Sequence, residues 1–302
     1  MREAALQSIR EMIVERMLGE APKQVEKVPK THGSRHVVTM PGGAHYFLKG
    51  IGTEDRAYRR EVGMRACLEE FSEIEYPEFL DSLELNGRRF VLLEYVEGQT
   101  LQKLWRADRD RMKSEMRRLG ELLAQLQGMP VAQASVFLEH EDILFTDEHF
   151  ARAQQMLSPY LSSNSLTSLQ RCHETVADAD LEEVVSHSDF GPHRIIARPD
   201  GEWVLTDFEH TAIAPFANDL SGTEVRLERE DFAPTDPFYE GYASVRSLNG
   251  TYESVRTAFK AYNLLTIVSY QLDHHQSPDA DDLTLLEDIL SSYLTEAAAP
   301  SM

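Results

Sequence analysis

Leu6, Ile9, Ile13 and Met17 recur three and four residues apart in an otherwise charged opening segment, a spacing that places them on one face of an amphipathic helix. The pattern then shortens. From about Lys27 to Lys49 the apolar residues come in brief runs, "HVVTM" and "HYFLK", parted by Pro41-Gly42-Gly43, which predicts two strands and a hairpin turn with the polar "THGSR" as a loop. Thr53 to Phe71 returns to helical spacing, with Thr53 placed to cap the helix and acids in its first turn. Two further strands, "FLDSLELNG" and "RRFVLLEYV", meet at Asn86-Gly87, a two-residue hairpin signal.

Beyond Gly98 the pattern turns helical, first in "TLQKLW" and then from Arg111 to Gln127, where Met112, Met116, Leu119, Leu123 and Leu126 share a face until Gly128 and Pro130 end it. A strand "EVV", an irregular loop and a hairpin "RIIARPDGEWVLTD" turning at Asp200-Gly201 follow, and after Asp219 the chain reads as helix until a frayed tail, "EAAAPSM". There is no internal repeat. The expected fold class is α+β, with a small β-rich N-lobe over residues 1–96 and a large, mainly helical C-lobe over 97–302.

At 302 residues with 42% hydrophobic and 27% charged positions, the chain can bury a sizeable core. Its 30 basic against 51 acidic residues leave a net charge of −21, which argues against nucleic-acid or anionic-membrane partners and could attract a cationic ligand. Cys67 and Cys172 lie far apart, so neither a disulfide framework nor a zinc site is indicated, and a cytoplasmic setting is expected. The first twenty residues are too regularly charged for a signal peptide, and no apolar run reaches membrane-spanning length.

Phosphoryl transfer needs a strand lysine on the nucleotide phosphates, an acid that fixes the lysine, a carboxylate for magnesium and a carboxylate that orients the attacking hydroxyl. Lys49 ends the strand "YFLK" and Glu61 follows 12 residues later on the next helix, where an ion pair is feasible. Taken singly, Lys49 is more often a solvated strand end and Glu61 a solvated helix acid. Ser34, in the polar loop, is either a phosphate contact or a turn residue. Glu94, Tyr95 and Val96 end an apolar strand at the lobe junction, where main-chain groups could read an adenine edge. Asp189 and Asp207 each sit where a short strand opens into a loop, and the hairpin between them would bring the two ends together. There Asp189 would act as base or orienter and Asp207 as magnesium ligand.

With these residues the chain resembles the aminoglycoside phosphotransferase and choline kinase branch of the protein-kinase-like fold, whose loop reads H-G-D-x-x-x-x-N followed by I-D-[FW]-E. Asp189 and Asp207 are 18 residues apart, as in that pattern, and "LLEYVEGQTL" and "FANDLS" resemble its hinge and following helix. The resemblance implies a bilobal kinase-like fold, ATP and Mg²⁺ as cofactors, and Asp219 as a brace for the catalytic loop. Ser188 stands in place of Gly, Gly191-Pro192-His193 in place of H-P-G, Gln127 in place of His, and "TAIAP" lacks G-D-P. Arg194 occupies the metal-binding Asn position. Arginine has no acceptor and keeps its charge, so it cannot coordinate Mg²⁺.

Arg194 therefore has three expected fates: pairing with Asp189 or Asp207 to shut the site, contacting phosphates in place of a second metal, or swinging outward. The expected function is ATP-dependent phosphorylation of a small-molecule hydroxyl, with Glu224, Glu228, Glu230, Asp231 and Asp273 as candidates to receive a cationic acceptor. The alternatives are a pseudokinase-like binding or scaffold protein, and a kinase for Ser or Thr of a peptide. Asp273-His274-His275 lacks a third ligand at metal-site spacing.

Overall fold

The computed structural model describes residues 2–29, 34–51, 55–140, 147–248, 250–275 and 277–298. In chain order these form α1 (Arg2–Leu18), β1 (Gln24–Lys27), β2 (Ser34–Thr39), β3 (His45–Ile51), α2 (Asp55–Phe71), β4 (Phe79–Leu85), β5 (Arg88–Glu94) and a short β6 (Gln99–Thr100). Then come α3 (Leu101–Ala107), α4 (Arg109–Gln127), α5 (Val131–Ala134), α6 (Asp147–Leu157), α7 (Ser163–Ala177), β7 (Glu183–Ser186), β8 (Ile195–Ala197) and β9 (Trp203–Leu205). β10 (Ala212–Pro215) leads into four helices, α8 (Ala217–Arg229), α9 (Asp236–Val245), α10 (Gly250–His275) and α11 (Ala280–Ala298). The fold is α+β: a five-stranded antiparallel N-terminal sheet and a mainly helical C-terminal part.

The chain forms two compact units, one of residues 1–103 with 193–210 and the other of 104–192 with 211–302. In the first, the sheet runs β1-β2-β3-β5-β4. Side chains alternate across a strand, and here both faces are covered. Leu48, Phe90 and Leu92 pack with Ile13 and Val14 of α1, while Ile51, Val91 and Leu93 pack with Ala57 and Tyr58 of α2. That double burial explains why β5 reads as an unbroken apolar run. The Asn86-Gly87 turn has both residues at positive φ, 54° and 72°, as a type I′ hairpin requires.

α1 differs from expectation at its outer end, where Leu6 and Ile9 are 37% and 39% exposed, because the sheet offers packing partners only from Ile13 onward. β1 has no counterpart in the sequence pattern, since it is an edge strand with Val25 as its one buried residue. Thr53 and most of the "THGSR" loop lie outside the described residues, as does the end of the tail.

In the second unit, Asp108 caps α4 by accepting from the Asp110 and Arg111 amides, and the expected apolar face of α4 is buried. Gln127, at its end, donates to the Phe216 carbonyl at 3.1 Å and accepts from the Tyr242 hydroxyl at 2.6 Å, which ties α4 to the start of α8 and to α9. β7 and β10 pair antiparallel, and the loop that carries His187 to Asp189 springs from β7.

Candidate functional site

The strand alternation decides what Lys49 meets. Its neighbours two residues away, Phe47 and Ile51, belong to the cluster under α2, so Lys49 points to the same side. On α2, Glu61, Met64, Arg65 and Leu68 are buried at helical spacing, and the Lys49 ammonium donates to Glu61 Oε2 at 2.9 Å. Glu61 Oε1 accepts from Arg65 at 2.9 Å, and Arg65 lies over the buried Phe208 ring, 5.3 Å from its centroid. The carboxylate is thus clamped from both sides. Burial would raise its pKa, but Lys49 and Arg65 outweigh burial and hold it below the ordinary 4.5.

Lys49 also bonds Asp207 Oδ1 and lies 3.2 Å from Glu209 Oε2. Arg35 faces Lys49 across β2 and β3, and its Nη2 reaches Asp207 Oδ2 at 3.2 Å and Glu209 Oε1 at 3.0 Å. Arg194 supplies a third cation, bonding Asp207 Oδ2. The β8–β9 hairpin brings it there, since the Arg194 carbonyl accepts from both the amide and the hydroxyl of Thr206 at 2.9 Å. Burial would raise the Asp207 pKa; Lys49, Arg194 and Arg35 overturn this and hold it well below the ordinary 3.8. Burial would lower the Lys49 pKa, and Glu61, Asp207 and Glu209 instead lift it above 10.5.

All of these groups except Glu209 line a cavity of about 580 Å³ that also takes in Glu94, Tyr95, Val96, Gly98 and Thr100, a volume suited to a small-molecule ligand. Glu94 faces Tyr46 in the β3–β5 register while Lys49 faces Val91, so about 10 Å of strand separates the two positions. The Glu94 side chain is held by Arg198 at 3.0 Å and by the Glu78 amide at 3.2 Å. Ser34 pairs with Gly50 at the start of β2 and is not among the lining residues.

The second unit holds Asp189. Its loop turns at Ser188, whose φ of 61° is left-handed, a conformation that glycine adopts without strain. The buried Asp219 fastens the turn: Oδ2 accepts from the His187 amide and Oδ1 from the Ser188 amide, each at 2.8 Å. Burial raises the Asp219 pKa above 3.8, against the opposing pull of His187 and these hydrogen bonds. Asp189 Oδ1 accepts from Arg226 Nη2 at 2.5 Å. Asp219 and Arg226 are seven residues apart on α8, two turns along one face, so one helix fixes both ends of the loop.

Sequence reasoning missed Arg35 and Arg226, and gave Glu209 no role. The seven-residue step on α8 was a readable signal for Arg226. The five acids considered for a cationic acceptor each contact a cation of the protein itself. Glu224 accepts from Arg256 and Lys260, Glu228 from Lys260, Glu230 from Arg106 and Asp273 from Arg152, while Asp231 lies 3.9 Å from Arg109. Among the described residues, no group of three or more His, Cys, Asp or Glu side chains is placed to hold a metal by itself, and no helix is long and apolar enough to cross a membrane.

Three solved structures share this fold closely. The GDP complex of wild-type aminoglycoside 2'-phosphotransferase-IIIa superposes with a TM-score of 0.69 at 14% identity, over 96% of this chain and 99% of that one. The GDP and kanamycin complex of APH(2")-IIia gives 0.68 at 15% identity, over 95% and 99%. A thermostable mutant of aminoglycoside phosphotransferase APH(4)-Ia, in ternary complex with AMP-PNP and hygromycin B, gives 0.65 at 13% identity, over 96% and 99%. No curated protein matches in sequence. A family model for the phosphotransferase enzyme family, however, matches residues 34–256. Most of the chain is covered by that match, and the protein belongs to the phosphotransferase enzyme family, with the kinase-type fold of its aminoglycoside-phosphorylating members.

Proposed function

We propose that the protein transfers the γ-phosphate of ATP to a hydroxyl group of a small molecule. One observation carries this reading: Lys49, fixed by a buried glutamate on α2, reaches Asp207 inside a cavity also lined by the Glu94 to Val96 segment. Lys49 grips phosphates, Glu61 and Arg65 keep it in place, and the main chain of residues 94–96 meets the adenine. Asp207 and Glu209 both contact Lys49 and Arg35, so their oxygens converge. Such hard oxygen donors suit Mg²⁺, and these two carboxylates would hold it. Magnesium there supplies charge neutralisation on the phosphates.

Asp189 aligns the acceptor hydroxyl and takes its proton, which passes to water. A bond forms from the acceptor oxygen to the γ-phosphorus as the bond to the β,γ-bridging oxygen breaks, and ADP leaves. The acceptor is a small molecule in this reading, in keeping with the kanamycin and hygromycin B held by the similar structures. The five candidate acids are already paired within the protein, so amino alcohols and natural-product hydroxyls belong in any screen beside polycations. The test is ADP release over such a panel with the wild type and Asp189→Asn; equal turnover by the two proteins would sink the assignment.

The bond from Arg194 to Asp207 favours a second reading, a kinase-shaped binding subunit whose metal ligand is occupied. It predicts nucleotide affinity indifferent to magnesium and no turnover with any acceptor, peptides included.

A further inference from the structure

We propose that Arg194 and Arg35 act in place of a second divalent cation, so that the phosphates are held by one metal ion and two guanidinium groups. This rests on the nucleotide-binding reading above and adds a metal count to it.

Both oxygens of Asp207 already accept from cations of the protein: Oδ1 from Lys49, and Oδ2 from Arg194 and, at 3.2 Å, from Arg35. A metal that binds Asp207 must share or displace one of these. Glu209 is the second carboxylate of the cluster, and no third His, Cys, Asp or Glu side chain joins them to form a metal site among the described residues. Two carboxylates supply anchorage for one magnesium, whose remaining positions go to phosphate oxygens and water. A second ion bridging from Asp207 would need another oxygen donor, and the side chain that the hairpin delivers is the Arg194 guanidinium, which has none.

A guanidinium does, however, offer five N–H donors in a planar fork, and it bonds two oxygens at once with a geometry that phosphate matches. Arg194 and Arg35 can therefore keep a hold on Asp207 and reach a phosphate oxygen. Both line the cavity, and their side chains are 23% and 18% exposed, enough to meet a ligand while staying anchored. The Thr206 bonds pin the Arg194 main chain, so the guanidinium can turn without moving its strand.

The test counts Mn²⁺ ions bound per chain in the presence of a non-hydrolysable ATP analogue, and measures affinity for the same analogue in EDTA. The wild type should bind one Mn²⁺ and keep measurable metal-free affinity. Arg194→Asn should bind two and lose about tenfold in metal-free affinity, as should Arg35→Gln in affinity, the worth of one charge-assisted hydrogen bond. Arg194→Lys keeps the charge and should stay at one ion, which preserves the test if the Asn variant does not fold. Two ions in the wild type would overturn the proposal and leave the nucleotide reading standing. Nucleotide binding that appears only in Arg194→Asn would overturn it by showing that the arginine closes the site. No binding by any of the proteins, with or without Mn²⁺, would remove the nucleotide reading as well.

Discussion

Asp207, its side chain 9% exposed, and the buried Asp219 are both carboxylates next to a backbone turn with a left-handed residue, Asp207 itself at φ 70° and Ser188 at 61°. Their surroundings push them in opposite directions. Asp207 sits among Lys49, Arg35 and Arg194 and is held firmly ionised. Asp219 is bound by two main-chain amides, and burial raises its pKa against their pull and that of His187. The difference is one of replaceability. Side-chain cations can trade Asp207 for a phosphate or share it with a metal, at a cost set by charge. Amides of a tight turn cannot move without unmaking the turn. The first arrangement suits a group that must exchange partners during a reaction cycle, and the second suits a group that must hold still.

The sharpest way to break this comparison is through the rate. Asp207→Asn and Asp189→Asn should each lower kcat by about 10²- to 10⁴-fold, the usual worth of a positioned acid–base group or more. Asp207→Asn should still fold, since two of the cations it releases retain other carboxylates nearby: Glu61 and Glu209 for Lys49, and Glu209 for Arg35. A collapse of the fold in Asp207→Asn would show that the cluster is structural. Asp219→Ala should do the reverse at the level of structure. It strands the His187 and Ser188 amides and should cost about 2 to 5 kcal/mol, read by denaturant titration; a loss below 1 kcal/mol would mean the amides find other partners.

The two loops were unequally legible. Lys49, Glu61 and Asp207 could be read because a strand end, a helix acid 12 residues on and a strand-to-loop aspartate each leave a local trace. Asp219 was reached only through a family likeness, because an acid in the first turn of a helix has many ordinary uses. Arg35 was missed because its carboxylate partners lie 172 and 174 residues away, and no local pattern encodes a contact of that span. Arg194 was flagged, but three fates stayed open because sequence gives a guanidinium's reach and not its direction.

pH separates the two carboxylates more gently. A lowered acid such as Asp207 contributes stability that is present above its unfolded value of 3.8 and is lost as pH falls through its folded value. For Asp219 the sign reverses: its raised folded pKa favours the protonated form, so its contribution is present at low pH and is lost as pH rises. Asp219→Asn removes that dependence. Its Tm relative to the wild type should therefore improve as pH rises above 3.8, whatever constant offset the amide introduces; a flat difference would mean that Asp219 is not strained by burial.

The smallest expected effect on stability is also the most discriminating for the second loop. A Cβ on Gly222 would lie 2.8 Å from Asn263 Oδ1 and 2.9 Å from Arg226 Nη1. Both are ends of flexible side chains, so Gly222→Ala can be accommodated by small shifts. The gain in helix propensity on α8, up to about 1 kcal/mol, should leave the Tm unchanged or slightly higher. The shift nevertheless falls on the guanidinium that donates to Asp189 and, at 2.8 Å, to the Gly222 carbonyl. If Arg226 positions Asp189, kcat should drop by about tenfold, the effect of a displacement of under an ångström at a reacting group, while nucleotide affinity stays the same. A variant that gains stability and loses turnover would place Arg226 in the working geometry of the loop. One that gains stability and keeps its turnover would make the Arg226 pair a feature of folding alone.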